Sequence, residues 1–286
     1  EQFVHSQQEL LELYRKRIEL AWPGPGKNIS MNKRGQVLID LQDRKDVHDL
    51  TPIQGMKLSS LILHNCDQVR DLSPLKGMNL LNLDISGCTT LTNLKPLLGM
   101  ELHSLDVSSC IMKDDLRVVR DLPLRVFSIK NCNQVDDLTF IESLKLTSLD
   151  ISYCTKIRDL TPLHDMPLTQ LHMASCLSIT DLTPLKGLPL ISLAIDGDPV
   201  SDLSPLRGMP LRTLTMHGCE LLNDLTPLEE MPLKTIFLPM SKLTKAQADV
   251  LRRLKSLESI QIDFSRRGQM SISEFWERYE AGEFQK

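Results

Sequence analysis

The chain has 286 residues, a formal charge of −4 and a pI near 6.0, enough for one or two domains and with no net basicity that would call for nucleic acid. No uninterrupted apolar run approaches the roughly 20 residues of a membrane span. Only 2 Trp, 3 Tyr and 7 Phe accompany a hydrophobic content of 41%, so the core is expected to be aliphatic and spread out, without large anchors.

The chain begins Glu1-Gln2-Phe3, with no initiator Met, basic n-region or apolar h-region, and reads as a fragment of something longer. Ser6-Gln-Gln-Glu9 is a capping box that opens a helix carrying Leu10, Leu11, Leu13, Tyr14, Ile18 and Leu20 at helical spacing, and Trp22-Pro23-Gly24-Pro25-Gly26 ends it. Residues 1–35 are therefore expected to form an N-terminal helical cap.

Residues 36–241 are an internal repeat. The phrase Asp-Leu-(Ser/Thr)-Pro-Leu, or a close variant, starts at Asp49, Asp71, Asn93, Asp115, Asp137, Asp159, Asp181, Asp202 and Asp224, a spacing of 22 residues broken once by 21. Within a unit, Leu149 and Ile151 alternate with polar neighbours, the period of a short strand with one buried face. Units stacked at about 4.8 Å then make a parallel sheet. The Ser/Thr-Pro step suits an N-cap and first helical position, but the stretch is too short for more than a turn, so 3₁₀ or irregular turns are expected on the convex side. Gly77, Gly187 and Gly208 let the chain reverse afterwards. The aspartates before the turns can accept local backbone N–H bonds.

Residues 242–286 are expected to be a C-terminal cap: a helix opened by Thr244-Lys-Ala-Gln247 and running through Leu251 and Leu254, a last strand from Leu257 to Phe264, and a short helix opened by Ser271-Ile-Ser-Glu274 with Phe275, Trp276 and Tyr279. Solenoids need such covers because their end coils otherwise expose core and sheet edge. Both tryptophans fall in the two end segments.

The cysteines occupy one repeat slot, at Cys66, Cys88, Cys110, Cys132, Cys154, Cys176 and Cys219, with Asp198 in the slot they skip. This pattern reads as a structural ladder of buried thiols in the turn after the strand. A linear stack with no CxxC cannot surround a metal, and parallel side chains do not meet disulfide geometry. Unpaired cysteines favour a reducing compartment such as the cytoplasm. At Asp198 the unit also loses one residue, which suggests a tighter and more polar turn, either a drifted repeat or a binding or bending feature.

If Leu149 and Ile151 point inward, the intervening residues form outward columns. The central one runs Asp40, Ile62, Asp84, Asp106, Ser128, Asp150, His172, Ala194, Thr215, Phe237 and Gln261; the next runs Gln42, His64, Ser86, Ser108, Lys130, Ser152, Ala174, Asp196, His217, Pro239 and Asp263. Aspartates crowd the N-terminal half of the central column with Lys130 beside them, and like charges on adjacent coils repel unless a basic partner answers them. Asp84, Asp106, Asp150, Lys130, His64, His172 and His217 are thus the candidate contacts for a protein or peptide partner with basic or hydroxyl-rich side chains; an ordinary solvated sheet surface explains the same residues. Phe237, Pro239 and Met240 form one apolar cluster near the C-terminal end, with Ile62 its isolated counterpart, and Lys76, Lys186 and Arg207 mark the convex turns as the other possible docking side. Arg252-Arg253 and Arg266-Arg267 are expected to be solvated.

Catalysis finds little support. The histidines are spread over several coils, no GxxxxGK(S/T), HExxH or GxSxG occurs, and an aromatic-poor sheet offers no cleft for the paired carboxylates Asp84 and Asp106. No cofactor is expected.

The repeat itself is the leucine-rich repeat pattern. Asp71-Leu-Ser-Pro-Leu-Lys-Gly-Met78, Leu182-Thr-Pro-Leu-Lys-Gly-Leu-Pro-Leu190 and Asp202-Leu-Ser-Pro-Leu-Arg-Gly-Met-Pro-Leu211, together with the tail Ser273-Glu-Phe-Trp-Glu-Arg-Tyr-Glu-Ala-Gly-Glu-Phe284, resemble the repeat region of bacterial receptor-like Ser/Thr protein kinases. The pattern is also similar to the internalin class, from which it departs by Cys for the usual Asn and one extra residue between that slot and the Asp. The resemblance covers roughly residues 36–286. It implies an α/β solenoid, a leucine-rich repeat horseshoe with a parallel concave sheet, short convex turns and helical N- and C-terminal caps. It also implies a recognition role for a monomeric domain, as part of a larger signalling protein or as an extracellular adhesion module. Any kinase activity would reside upstream, because no Gly-rich loop, His-Arg-Asp or Asp-Phe-Gly is present.

Overall fold

The computed structural model describes residues 7–24, 28–112, 114–239, 243–262 and 270–284. The chain divides into two compact units, Glu1–Gln134 and Val135–Lys286.

In the first unit, helix α1 (Gln7–Ala21) buries Tyr14 and Ile18 and hands on to the buried Trp22, whose N–H reaches Ile18 O at 2.7 Å. That i, i+4, i+8 row is narrower than the apolar pattern of the helix suggests. Leu13 and Leu20 point away from it, Leu20 being 86% exposed. The Tyr14 hydroxyl accepts the Lys57 N–H at 2.9 Å and so ties the helix to the repeat. Strand β1 (Ile29–Met31) runs antiparallel to β2 (Val37–Asp40), and from β2 the sheet continues in parallel through β3 (Leu58–Ile62), β4 (Asn82–Asp84), β5 (Ser104–Asp106) and β6 (Val126–Ser128).

The second unit carries β7 (Ser148–Asp150), β8 (Gln170–His172), β9 (Ser192–Ala194), β10 (Thr213–Thr215), β11 (Thr235–Phe237) and β12 (Ser259–Gln261) in parallel order. An antiparallel β13 (Met270–Ser271), which the sequence pattern does not announce, pairs with β12. Helix α2 (Lys245–Arg253) opens on the capping box of Thr244 and Gln247, and α3 (Ile272–Glu280) is N-capped by Ser271. Phe275 of α3 is fully buried and stacks on Phe284 at 5.6 Å. Ser6, Met240, Asp263, Phe264, Arg266 and Arg267 lie outside the described residues.

Each coil returns through a short 3₁₀ turn such as Ser73–Leu75, Thr161–Leu163 or Thr226–Leu228. The hydroxyl residue is not the N-cap. It is the first residue of the turn, with Pro second, and the aspartate two places earlier accepts its N–H: Asp71 from Ser73, Asp159 from Thr161 and Asp224 from Thr226, each at 2.8 Å. Asn93 does the same for Lys95 at 2.9 Å, so a neutral acceptor suffices. Two units lack the Pro: Thr139–Ile141 still forms the ordinary short turn, whereas Asp114–Asp121 forms one longer 3₁₀ stretch. After a turn, Gly77 takes φ +75° and reverses the chain where an added Cβ would meet nothing within 4 Å, so the backbone angle alone favours glycine.

Inside each coil the core is aliphatic: Leu149, Ile151, Ile157, Leu160, Leu163 and Leu168 are all buried, as are their counterparts one repeat away. All seven cysteines are buried, and none forms a disulfide. The thiols reach back to the carbonyl of the residue that follows the strand of the preceding coil, Cys66 to Leu41 O at 3.0 Å, Cys88 to Leu63 O at 3.2 Å, Cys110 to Ile85 O at 3.2 Å and Cys132 to Val107 O at 3.4 Å. In the second unit Cys176 reaches Ile151 O at 3.1 Å and Cys219 reaches Ile195 O at 2.9 Å. Burial pushes the thiols up, Cys66 to about 11 and Cys110 and Cys219 to about 12, which keeps them protonated donors at neutral pH.

Candidate interaction face

The strands hold the outward residues in columns. In the first unit Asp84 pairs with Ile62 on one side and Asp106 on the other, and Asp106 pairs with Ser128. In the second unit Asp150 pairs with His172, and the column continues through Ala194, Thr215 and Phe237 to Gln261. This is the register implied by the 22-residue spacing.

The carboxylates of the central column are not simply displayed. Each turns its Oδ1 to the backbone N–H two residues on, Asp40 to Gln42 at 2.9 Å, Asp84 to Ser86 at 2.9 Å, Asp106 to Ser108 at 2.8 Å and Asp150 to Ser152 at 2.8 Å. These Asx turns end the strands, and the donated N–H bonds offset part of the repulsion between Asp84 and Asp106. A structural use therefore accompanies any binding use.

Several candidates come together. His64 Nδ1 lies 2.7 Å from Ser86 Oγ, and the Ser86 hydroxyl bonds Asp84 Oδ1, so a chain runs His64–Ser86–Asp84 across two coils. The serine gives its proton to the aspartate and accepts from the imidazole N–H, which is the reverse of a nucleophile arrangement. Ser86 is 5% exposed. Ser108 and Ser128 hydroxyls meet at 2.7 Å in the adjoining coils, and exposed Lys130 follows on the outer column, its carbonyl accepting Ser109 N–H at 2.8 Å. In the second unit His172 Nδ1 lies 4.0 Å from Asp150 Oδ2, with His172 exposed.

His217 does not belong to the open surface. It is 6% exposed, its ring stands edge-on to Phe237 at 5.4 Å, and its backbone N–H donates to Asp196 Oδ1 at 2.7 Å. Phe237 and Pro239 are half-buried, as is Ile62. Among the described residues no group of three or more His, Cys, Asp or Glu could hold a metal ion, and no helix is long and apolar enough to cross a membrane. On the turn side, Lys76, Lys186 and Arg207 each follow a 3₁₀ turn, and Arg207 pairs with Glu230 at 3.8 Å. The Arg252-Arg253 pair is exposed, as expected, and also makes contacts: Arg252 covers the Trp276 ring at 4.6 Å and Arg253 bonds Glu229 at 2.6 Å.

Two features escaped the column reading. A third outward column, two residues before the central one, runs Ser60, Asn82, Ser104 and Val126 in one unit and Ser148, Gln170, Ser192, Thr213, Thr235 and Ser259 in the other. The recurrent small hydroxyl residue before Leu in the repeat was its signal. The residue before each ladder position adopts positive φ: Asn65, Ser109 and Asn131 in the first unit, Tyr153, Ser175 and Gly197 in the second. Gly87 occupies the same slot, and a Cβ there would come within 2.2 Å of Asn65 Oδ1. The slot accepts Asn, Ser, Gly and Tyr alike, and that variety conceals it in the sequence.

No protein-family model matches the chain, and no curated protein matches it. Among solved structures it is similar to an internalin, InlF, of Listeria monocytogenes strain 4b F2365, with 24% identity and a TM-score of 0.57 over 76% of this chain and 73% of that one. The chain has the leucine-rich repeat fold. Two further L. monocytogenes structures overlap with it less well: internalin C2, with 24% identity, TM-score 0.49 and 57% and 73% of the two chains, and the functional domain of InlJ, described as including a cysteine ladder, with 19% identity, TM-score 0.27 and 69% and 63% of the two chains. The leucine-rich repeat here thus combines strand columns, proline turns and a thiol ladder of its own.

Proposed function

We propose that this leucine-rich repeat chain is a protein-interaction module whose outward sheet columns bind a polypeptide segment bearing basic or hydroxyl side chains. The observation that carries the reading is the side-by-side placement of Asp84 and Asp106 on adjacent strands, flanked by His64 and a row of serines. Two carboxylates in register keep negative charge on a face otherwise lined with hydroxyl groups, a surface that complements Lys, Arg, Ser and Thr. Affinity would come from several modest contacts over successive coils, since few aromatic anchors are present.

The test is an affinity capture from the source cell with the wild-type chain and the Asp84→Asn/Asp106→Asn/Asp150→Asn variant side by side. Asn keeps the Oδ1 acceptor of each Asx turn and removes only charge. A protein retained by the first and lost from the second supports the reading; equal recovery refutes it. Whether the parent is a signalling protein with an upstream kinase or a surface adhesin is decided by the upstream coding sequence, a kinase domain supporting the first and a secretion signal with a wall anchor the second.

A further inference from the structure

At the one ladder slot that lacks a thiol, Asp198 is 1% exposed. It points inward as the cysteines do. Its Oδ1 accepts the Cys176 N–H of the preceding coil at 2.7 Å, and its Oδ2 is buried without a hydrogen-bond partner. In the coils on either side, the group in this slot is a protonated donor aimed at the carbonyl just after the previous coil's strand, Cys176 at Ile151 O and Cys219 at Ile195 O. A carboxylate offers no donor, whereas a carboxylic acid offers both an acceptor for the N–H and an O–H in place of the S–H.

We propose that Asp198 is a neutral carboxylic acid in the folded coil and that its ionisation at alkaline pH is a built-in switch that loosens this part of the array. The groups facing it are Asp196 on its own turn, the Cys176 thiol on the preceding coil and the Cys219 thiol on the following one. Both thiols are held neutral by burial, and Asp196, occupied by His217 N–H and the Thr215 hydroxyl, adds repulsion. Burial, the largest cause, and Asp196 push the acid up to about 8 against the single N–H bond that opposes them.

The sign follows from linkage. A folded-state value above the ordinary 3.8 means that the folded chain binds the proton more tightly, so this contribution to stability is complete below about pH 4 and is lost as pH rises through about 8. Across that interval the folding constant should fall by up to about tenfold per pH unit from this residue alone.

The test compares wild type, Asp198→Asn and Asp198→Cys by urea denaturation from pH 5 to 9, with ¹³C-carboxyl NMR of wild type. The wild-type midpoint should fall with pH by more than that of either variant, and the Asp198 carboxyl signal should titrate near pH 8. Parallel pH slopes in wild type and a folded variant would overturn the proposal. So would a signal already at the carboxylate position at pH 6, a readout that stands even if neither variant folds.

Discussion

Replacing Cys88 tests what the thiol ladder does. The sulfur is fully buried, its S–H points at Leu63 O at 3.2 Å, and burial raises the thiol far above its ordinary value. Cys88→Ala removes one atom comparable to a methylene, about 0.8 kcal/mol of transfer free energy. A residual cavity of roughly 20 Å³ at about 24 cal/mol per Å³ adds about 0.5 kcal/mol, and the weak S–H bond contributes roughly 0.5 kcal/mol more. Leu63 O is not orphaned, because it also accepts Cys66 N–H at 2.9 Å. The sum is about 2 kcal/mol. Cys88→Ser keeps a donor, but the shorter C–O bond draws the oxygen away from the carbonyl, and an imperfectly bonded buried hydroxyl costs about 1–3 kcal/mol. Serine should therefore be no better than alanine, with both losses read from urea denaturation followed by far-UV circular dichroism. A serine variant clearly more stable than the alanine variant would refute the packing account and make hydrogen bonding the ladder's main contribution.

Leu149→Ala should cost about 2–5 kcal/mol in the same assay, since Leu149 is fully buried beside the equally buried Leu171, while the outward neighbour Ser148→Ala should stay within about 0.5 kcal/mol; near-equal losses would mean that the inward and outward phases are exchanged. Acidification should unfold the chain through the turn aspartates. Hydrogen bonds hold seven of them below their ordinary value, the hydroxyl bond leading at Asp49, Asp71, Asp137, Asp159 and Asp181 and the backbone bond at Asp202 and Asp224. Lowered folded values mean stability present above about pH 4 and lost as pH falls further. Asp71→Asn together with Asp137→Asn should shift the acid midpoint measurably downward with little effect at pH 7, as the natural Asn93 suggests.

The strand register was legible because the repeat length sets it: once Leu149 and Ile151 point inward, a spacing of 22 residues places Asp84 beside Asp106 without further information. The local turn chemistry was legible only in part. The Ser/Thr-Pro pair marked a turn, but which residue caps it depends on backbone angles, and the structure gives that task to the aspartate. His217 reads as an outward residue by its column, yet Phe237 on the next coil closes over it, a contact set by side-chain size rather than by period. Asp198 reads as a lapse in the cysteine pattern. Its burial follows from the slot, not from the residue type, and only the packed coil shows that a carboxyl has been placed where its neighbours carry thiols.

The two sets of carboxylates work in opposite directions. The turn aspartates are exposed, receive hydrogen bonds as anions and stabilise the fold only while ionised; Asp198 is buried, has one donor and stabilises the fold while protonated. Acid below about pH 4 removes the first contribution and base toward pH 8 removes the second. Stability should therefore peak on the acidic side of the pI near 6.0, a position set by where individual carboxyls sit and not by net charge. Asp198→Asn should broaden that peak toward alkaline pH and leave its acidic limb in place, because that limb belongs to turns on the other side of the coil.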